Sequence, residues 1–153
     1  MKKEYKKLIF VDTDNTCRSI MAEAVMKAIC KNKPLKICSR GLVVLFPEPI
    51  NPKATVILKG DGLEPAKTGT EELLPEDLTE DTLVLTMTAR EKKKAAERLG
   101  PGAEVRVLAE FAGAEGEVEE PHGGTLANYG ACYEYIDFLV KVAYEKLYNS
   151  EDE

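Results

Sequence analysis

The chain has 153 residues, 44% of them hydrophobic and 31% charged, with a formal net charge of −6 at neutral pH. That length builds one domain around one core, and the acidic balance argues against a nucleic-acid binder, which carries a basic face. No apolar run approaches the ~20 residues that cross a bilayer, so neither nucleic acid nor membrane is expected as a partner.

The chain opens with lysines before an apolar stretch, as a secretory leader does, but the apolar run covers only residues 8–11 and acids follow at once. That is shorter than a leader's apolar region, so a first strand in a cytoplasmic protein is expected. Cys17, Cys30, Cys38 and Cys132 show no zinc spacing, and free thiols are the expectation. His122 is the only histidine, which excludes a two-histidine relay or a histidine-rich metal centre.

Residues 8–11 read as a buried parallel strand ending in polar turn formers. Ser19 is placed to cap a helix in which Ile20, Met21, Ala24, Val25, Ala28 and Ile29 recur with helical period, and Pro34 closes it. A second strand is predicted over 35–39, followed by a proline-punctuated loop over 40–51. Pro52 suits the first turn of a short helix with Ala54, Ile57 and Leu58, stopped by Gly60 and Gly62. After a mixed stretch over 70–81, a third strand is predicted at 82–87 and a helix at 89–99, ended by Gly100, Pro101 and Gly102. A fourth strand is expected over 104–108 and a loop over 113–124. The last helix carries Leu126, Tyr129, Tyr133, Ile136, Val140, Ala143 and Leu147 as a core stripe.

Strands alternating with helices predict an α/β domain over 1–149, with a four-stranded parallel sheet, helices on both faces and an acidic tail over 150–153. Such sheets bind ligands beyond the carboxyl ends of their strands, at the switch in strand order. The turn from Asp12 is therefore the first candidate site. A loop wrapped between a strand and a helix N-terminus turns its amides inward, and Arg18 closes the ring with a planar guanidinium, giving a cradle for an oxyanion.

These residues, Asn15-Thr16-Cys17-Arg18-Ser19 with Met21-Ala22-Glu23-Ala24 opening the helix, resemble the low-molecular-weight protein-tyrosine phosphatases. That family's signature is a nucleophilic cysteine, five residues, then arginine and serine. Further along, Ser39-Arg40-Gly41, the 83–88 strand, the 108–113 segment and Glu120-Pro121-His122-Gly123-Gly124 resemble the family's later motifs in order. The resemblance implies the family fold, phosphate held by Arg18 and the amides of Thr13, Asp14, Asn15, Thr16 and Cys17, and a loop shaped by Asn15 and Ser19. It implies Glu120 at the general-acid position and a phosphorylated protein or small phosphomonoester as substrate. Thr16 and the Gly123-Gly124 pair resemble the bacterial branch that includes protein-arginine phosphatases.

The pattern departs from the family at its centre. Asp12 stands at the nucleophile position, Asp14 stands where the family has glycine, and no cysteine is followed six residues later by arginine. The thiolate mechanism has no sulfur there to attack phosphorus. One carboxylate ~4 Å from one phosphate charge costs roughly 4 kcal/mol at an effective dielectric near 20. The expectation is an impaired phosphatase or pseudophosphatase, in which the Asp12 carboxylate fills the cradle and pairs with Arg18, with no cofactor and an unknown protein as partner. The alternative is an active phosphatase of the haloacid-dehalogenase type, with Asp12 as nucleophile and Asp12 and Asp14 leaning on Mg²⁺, because Asp12-x-Asp14-x-Thr16 also resembles that family's first motif. The cleft is expected between residues 12–18, the 42–49 loop and the Glu120 loop; the resemblance puts Leu45 and Phe46 in the region that walls the family's substrate cleft, where they serve either a ligand or partner contact or local packing.

Overall fold

The computed structural model describes residues 4–121 and 123–149, so His122 and the acidic tail lie outside the described residues. Strands β1 (Lys7–Asp12), β2 (Lys36–Gly41), β3 (Thr82–Thr86) and β4 (Glu104–Val107) form one parallel sheet in the order β2-β1-β3-β4. The helices are α1 (Arg18–Ile29), α2 (Pro52–Gly60), α3 (Ala89–Leu99), α4 (Leu108–Phe111) and α5 (Leu126–Tyr148).

The central strands are apolar on both faces because helices cover both. Leu8, Phe10, Leu83 and Leu85 face a core shared with α1, α2 and α5, where Ile20, Met21, Leu58, Tyr133, Ile136 and Val140 meet. Ile9, Val11 and Val84 face the other way, against Val105 and Ala95 of α3. The expected four-stranded parallel sheet with helices on both faces is the observed architecture. No helix among the described residues is long and apolar enough to cross a membrane.

Local chemistry moves several boundaries. Both β1 and β2 run further than expected, to Asp12 and Gly41, which pair in register at the strand ends. Helix α1 ends at Ile29, with the Cys30 N–H closing on the Met26 carbonyl, so chain geometry stops it before Pro34. Leu108 leaves the sheet and opens α4, a single turn not anticipated from the sequence. A 3₁₀ turn over Pro75–Asp77 also interrupts the mixed stretch. Ser19 does not cap α1: Cys17 occupies the cap position, and the Ser19 side chain lies inside the first turn with a different partner, described below.

Because β1 crosses to β2 on one side and β3 adds on the other, the order switches between β1 and β3. The turns leaving those two strands, 13–17 and 87–88, therefore open side by side. This is where such sheets place their clefts.

Candidate functional site

Asp12 ends β1 and is fully buried. Its Oδ1 accepts from the Asn15 N–H at 2.7 Å and the Ser19 hydroxyl at 2.8 Å, and its Oδ2 accepts from the Ser19 N–H at 2.9 Å. The carboxylate thus takes one loop amide and one amide of the α1 N-terminus, whose dipole favours negative charge. Burial pushes the Asp12 carboxyl up to about 6, while the charge of Arg18 and the hydrogen bonds from Ser19 hold it down.

Asn15 makes this turn possible. It adopts the left-handed region with φ of 60°, which asparagine tolerates better than most residues. Its Nδ2 donates to Ser19 Oγ at 2.8 Å and Ser39 Oγ at 3.1 Å, and its Oδ1 accepts from the Glu71 N–H at 3.0 Å. Ser39 in turn donates to Glu23 at 2.6 Å. A buried relay of hydrogen bonds therefore runs from Glu23 to Asp12 with every donor directed at an acceptor. Gly41 lies beneath it, so close that an added Cβ would fall 2.8 Å from the Asp14 carbonyl carbon and 2.9 Å from the Asn15 nitrogen.

Asp14 closes the loop on itself, with Oδ1 accepting from the Thr16 N–H at 3.1 Å and the Thr16 hydroxyl at 2.8 Å. Cys17 is fully buried, and burial pushes its thiol far above the ordinary range, which leaves it un-ionised and unreactive. Burial also pushes Cys132 up to about 11.

Arg18 does not pair with Asp12 as expected. Its Nη2 meets Glu91 Oε2 at 2.7 Å, its Nε meets Glu120 Oε1 at 2.9 Å, and its Nη1 donates to the Val118 carbonyl at 2.9 Å. The reason is reach: Asp12 is satisfied by the donors of its own turn, whereas the Arg18 side chain leaves α1 toward α3 and the 118–120 segment. Burial alone would lower the guanidinium, but the surrounding carboxylates of Asp12, Glu91 and Glu120 outweigh it and push it further up. Glu120 Oε1 is turned to Arg18 as an acceptor.

The cleft itself is a cavity of about 390 Å³ lined by Thr13, Asp14, Arg18, Thr88, Arg90, Glu91, Glu117, Glu119 and Glu120. Five carboxylates face two guanidinium groups there. The expected wall from the 42–49 loop is absent from this lining. Val43 is tied behind Thr13 by its N–H at 2.7 Å from the Thr13 carbonyl, and Leu45 and Phe46 point to solvent at 88% and 65% exposure. The start of α3 takes the wall's place. Glu91, which the sequence reading passed over, is buried beside Arg18; Thr88-x-x-Glu91 was legible as a capping box, the motif that anchors it.

Of the residues expected at the site, Asp12, Asn15 and Ser19 come together beneath the loop. Thr13, Asp14, Arg18 and Glu120 line the cavity. Thr16 and Cys17 turn away from it. The magnesium alternative needs Asp12 and Asp14 to offer oxygens to one ion. Both Asp12 oxygens are taken within the turn, Asp14 Oδ1 is taken by Thr16, and no group of three or more His, Cys, Asp or Glu among the described residues is arranged to hold a metal ion. The geometry does not favour that reading.

Known proteins match this arrangement along nearly its whole length. The family model for low molecular weight phosphotyrosine protein phosphatase covers residues 7–151. The low molecular weight protein-tyrosine-phosphatase PtpB of Staphylococcus epidermidis is 33% identical over 135 residues, spanning 88% of this chain and 94% of that protein. A protein-arginine-phosphatase of Geobacillus stearothermophilus is 32% identical over 147 residues, spanning 92% and 95%. The crystal structure of a low molecular weight protein tyrosine phosphatase from T. tengcongensis superposes with a TM-score of 0.86 at 32% identity, covering 92% of this chain and 99% of that one. With the sheet order, the Asn15-Thr16-Cys17-Arg18-Ser19 motif and these likenesses in agreement, the chain belongs to the low-molecular-weight phosphotyrosine protein phosphatase family.

Proposed function

We propose that this chain is a pseudophosphatase: a member of the family that keeps the fold and the anion loop but does not run the thiolate reaction, and whose cleft serves binding. The observation that carries this reading is the Asp12 carboxylate, fully buried and holding the Asn15 and Ser19 amides and the Ser19 hydroxyl. Taken as the residue at the nucleophile position, Asp12 brings a negative charge where an incoming phosphate brings another. That repulsion costs roughly 4 kcal/mol per charge pair at ~4 Å and an effective dielectric near 20. Arg18, the remaining cation of the loop, is already engaged by Glu91 and Glu120. The general-acid position is occupied by a carboxylate that accepts from Arg18, which supports the same reading.

The relatives named above are, by their names, tyrosine or arginine phosphatases, so a phosphorylated protein is the substrate class that an active form of this site would take. In a pseudophosphatase the partner is a protein that docks at the cleft without being dephosphorylated. Turnover of p-nitrophenyl phosphate and of phosphotyrosine and phosphoarginine peptides, with and without Mg²⁺, tests the proposal. No release of phosphate above background is expected in either condition. Metal-independent turnover would restore the chain to the active phosphatases, and turnover only with Mg²⁺ would establish the aspartate-nucleophile route.

A further inference from the structure

Glu91 does two jobs at once. Its Oε1 accepts from the Thr88 N–H at 3.0 Å, completing the N-terminal capping box of α3, and lies 3.4 Å from Arg18 Nη1. Its Oε2 accepts from the Thr13 hydroxyl at 2.8 Å and from Arg18 Nη2 at 2.7 Å. The side chain is 5% exposed. Two guanidinium nitrogens, a hydroxyl and a backbone amide beside a helix N-terminus therefore converge on one carboxylate from three separate elements. This is the donor set that recognises a planar or tetrahedral oxyanion. A capping glutamate needs only the Thr88 amide; the other three donors have no part in capping.

We propose that Glu91 is an internal anion of the cleft, holding the seat on Arg18 that an incoming oxyanion requires, and that Glu91 together with Asp12 sets which ligands the cleft accepts. The inference rests on the reading of the site as self-neutralised and deepens it by naming a second determinant, one that lies far from the loop in sequence. It follows that neutralising Asp12 alone leaves both Nη atoms of Arg18 on Glu91, whereas the Glu120 contact takes only Nε. Oxyanion binding returns only when Glu91 also loses its charge.

Calorimetric titration with inorganic phosphate and with vanadate, on the intact chain and on the Asp12→Asn, Glu91→Gln, Asp12→Asn/Glu91→Gln and Asp12→Asn/Glu91→Asp variants, tests this. The doubly neutral variant is expected to bind roughly a thousandfold more tightly than Asp12→Asn, the effect of one full charge ~4 Å away at an effective dielectric near 20. The Glu91→Asp combination, which keeps the charge, is expected to stay with Asp12→Asn. Equal affinity of Asp12→Asn and the doubly neutral variant would overturn the role of Glu91 and leave the pseudophosphatase reading standing. A folded doubly neutral variant that binds neither anion would overturn it as well. Micromolar phosphate binding by the unaltered chain would instead sink the reading on which it rests.

A second measurement does not depend on the variants folding. In ¹⁵N spectra of the unaltered chain, the clamped Arg18 guanidinium is expected to give separate Nη signals that millimolar phosphate does not move. A single rotationally averaged signal, or one displaced by phosphate, would contradict the proposal.

Discussion

Arg18 and Glu91 form a buried ion pair that joins the first turn of α1 to the first turn of α3, with Nη2 and Oε2 2.7 Å apart and side-chain exposures of 2% and 5%. The pair spans the switch in strand order, where the sheet opens its cleft, and it commits the guanidinium that follows the β1 turn to an internal contact. Buried pairs of this kind add little net stability compared with apolar packing, yet removing one partner is costly because the other is left charged and dry.

Replacing Arg18 alone, as Arg18→Leu, is therefore expected to destabilise the fold by about 3–5 kcal/mol. Removing Glu91 as well, as Arg18→Leu/Glu91→Leu, is expected to recover a substantial part of that loss. Urea unfolding of the two singles and the double, read as a double-mutant cycle, checks the coupling. Strict additivity would show that the two groups do not depend on each other.

Asn15 combines a left-handed backbone with three side-chain hydrogen bonds in the buried relay. Asn15→Ala strains the backbone and strands donors of the relay, and about 2–4 kcal/mol of stability is expected to be lost. Asn15→Gly relieves the strain while losing the same bonds, so it is expected to fall between the two in denaturant midpoint.

Gly41→Ala places a methyl group against the backbone of the loop at 2.8 Å and 2.9 Å. Backbone cannot yield there without moving Asp14 and Asn15, so a loss of about 1–3 kcal/mol is expected. The melting temperature reads the loss, and amide exchange at Asn15 and Thr16 locates it.

The sequence carried the fold well because apolar runs at 8–11 and 82–87, the helical stripe from Leu126 to Leu147 and the phosphate-loop motif each report on strong, local or one-face patterns. What it carried poorly depended on contacts between distant segments. The 42–49 loop was expected to wall the cleft, but the pairing of Val43 with Thr13 draws it behind the loop. Arg18 was expected to meet Asp12, only six residues away, whereas its partners come from 73 and 102 residues further on. Glu91 was passed over in the sequence, and even the Thr88-x-x-Glu91 capping pattern does not say which side chain will reach the carboxylate from another helix. The boundary errors at Pro34 and Leu108 arose where a cap bond or a single turn, below the resolution of periodicity, ended an element early.

The Asp12 carboxyl, pushed up to about 6 by burial, predicts the sign of a pH dependence of the fold. An ordinary aspartate titrates near ~4, so between about pH 4 and 6 the folded chain holds a proton that the unfolded chain has released. This group's contribution is fully present below about pH 4 and is lost as pH rises through about 6, amounting to about 3 kcal/mol over that window. Subtracting the profile of Asp12→Asn from that of the unaltered chain, each by urea unfolding from pH 4 to about pH 7.5, isolates it. The difference is expected to favour the unaltered chain progressively less as pH rises, and a difference that is flat or grows with pH would contradict the assignment.

The most direct measurement is isothermal titration of the unaltered chain with inorganic phosphate at neutral pH and physiological salt. A cradle already filled by Asp12, with its arginine held by Glu91 and Glu120, predicts no saturable heat below millimolar phosphate. A micromolar dissociation constant would mean that the loop amides and Arg18 are free to receive an anion, and the account would be wrong at its centre.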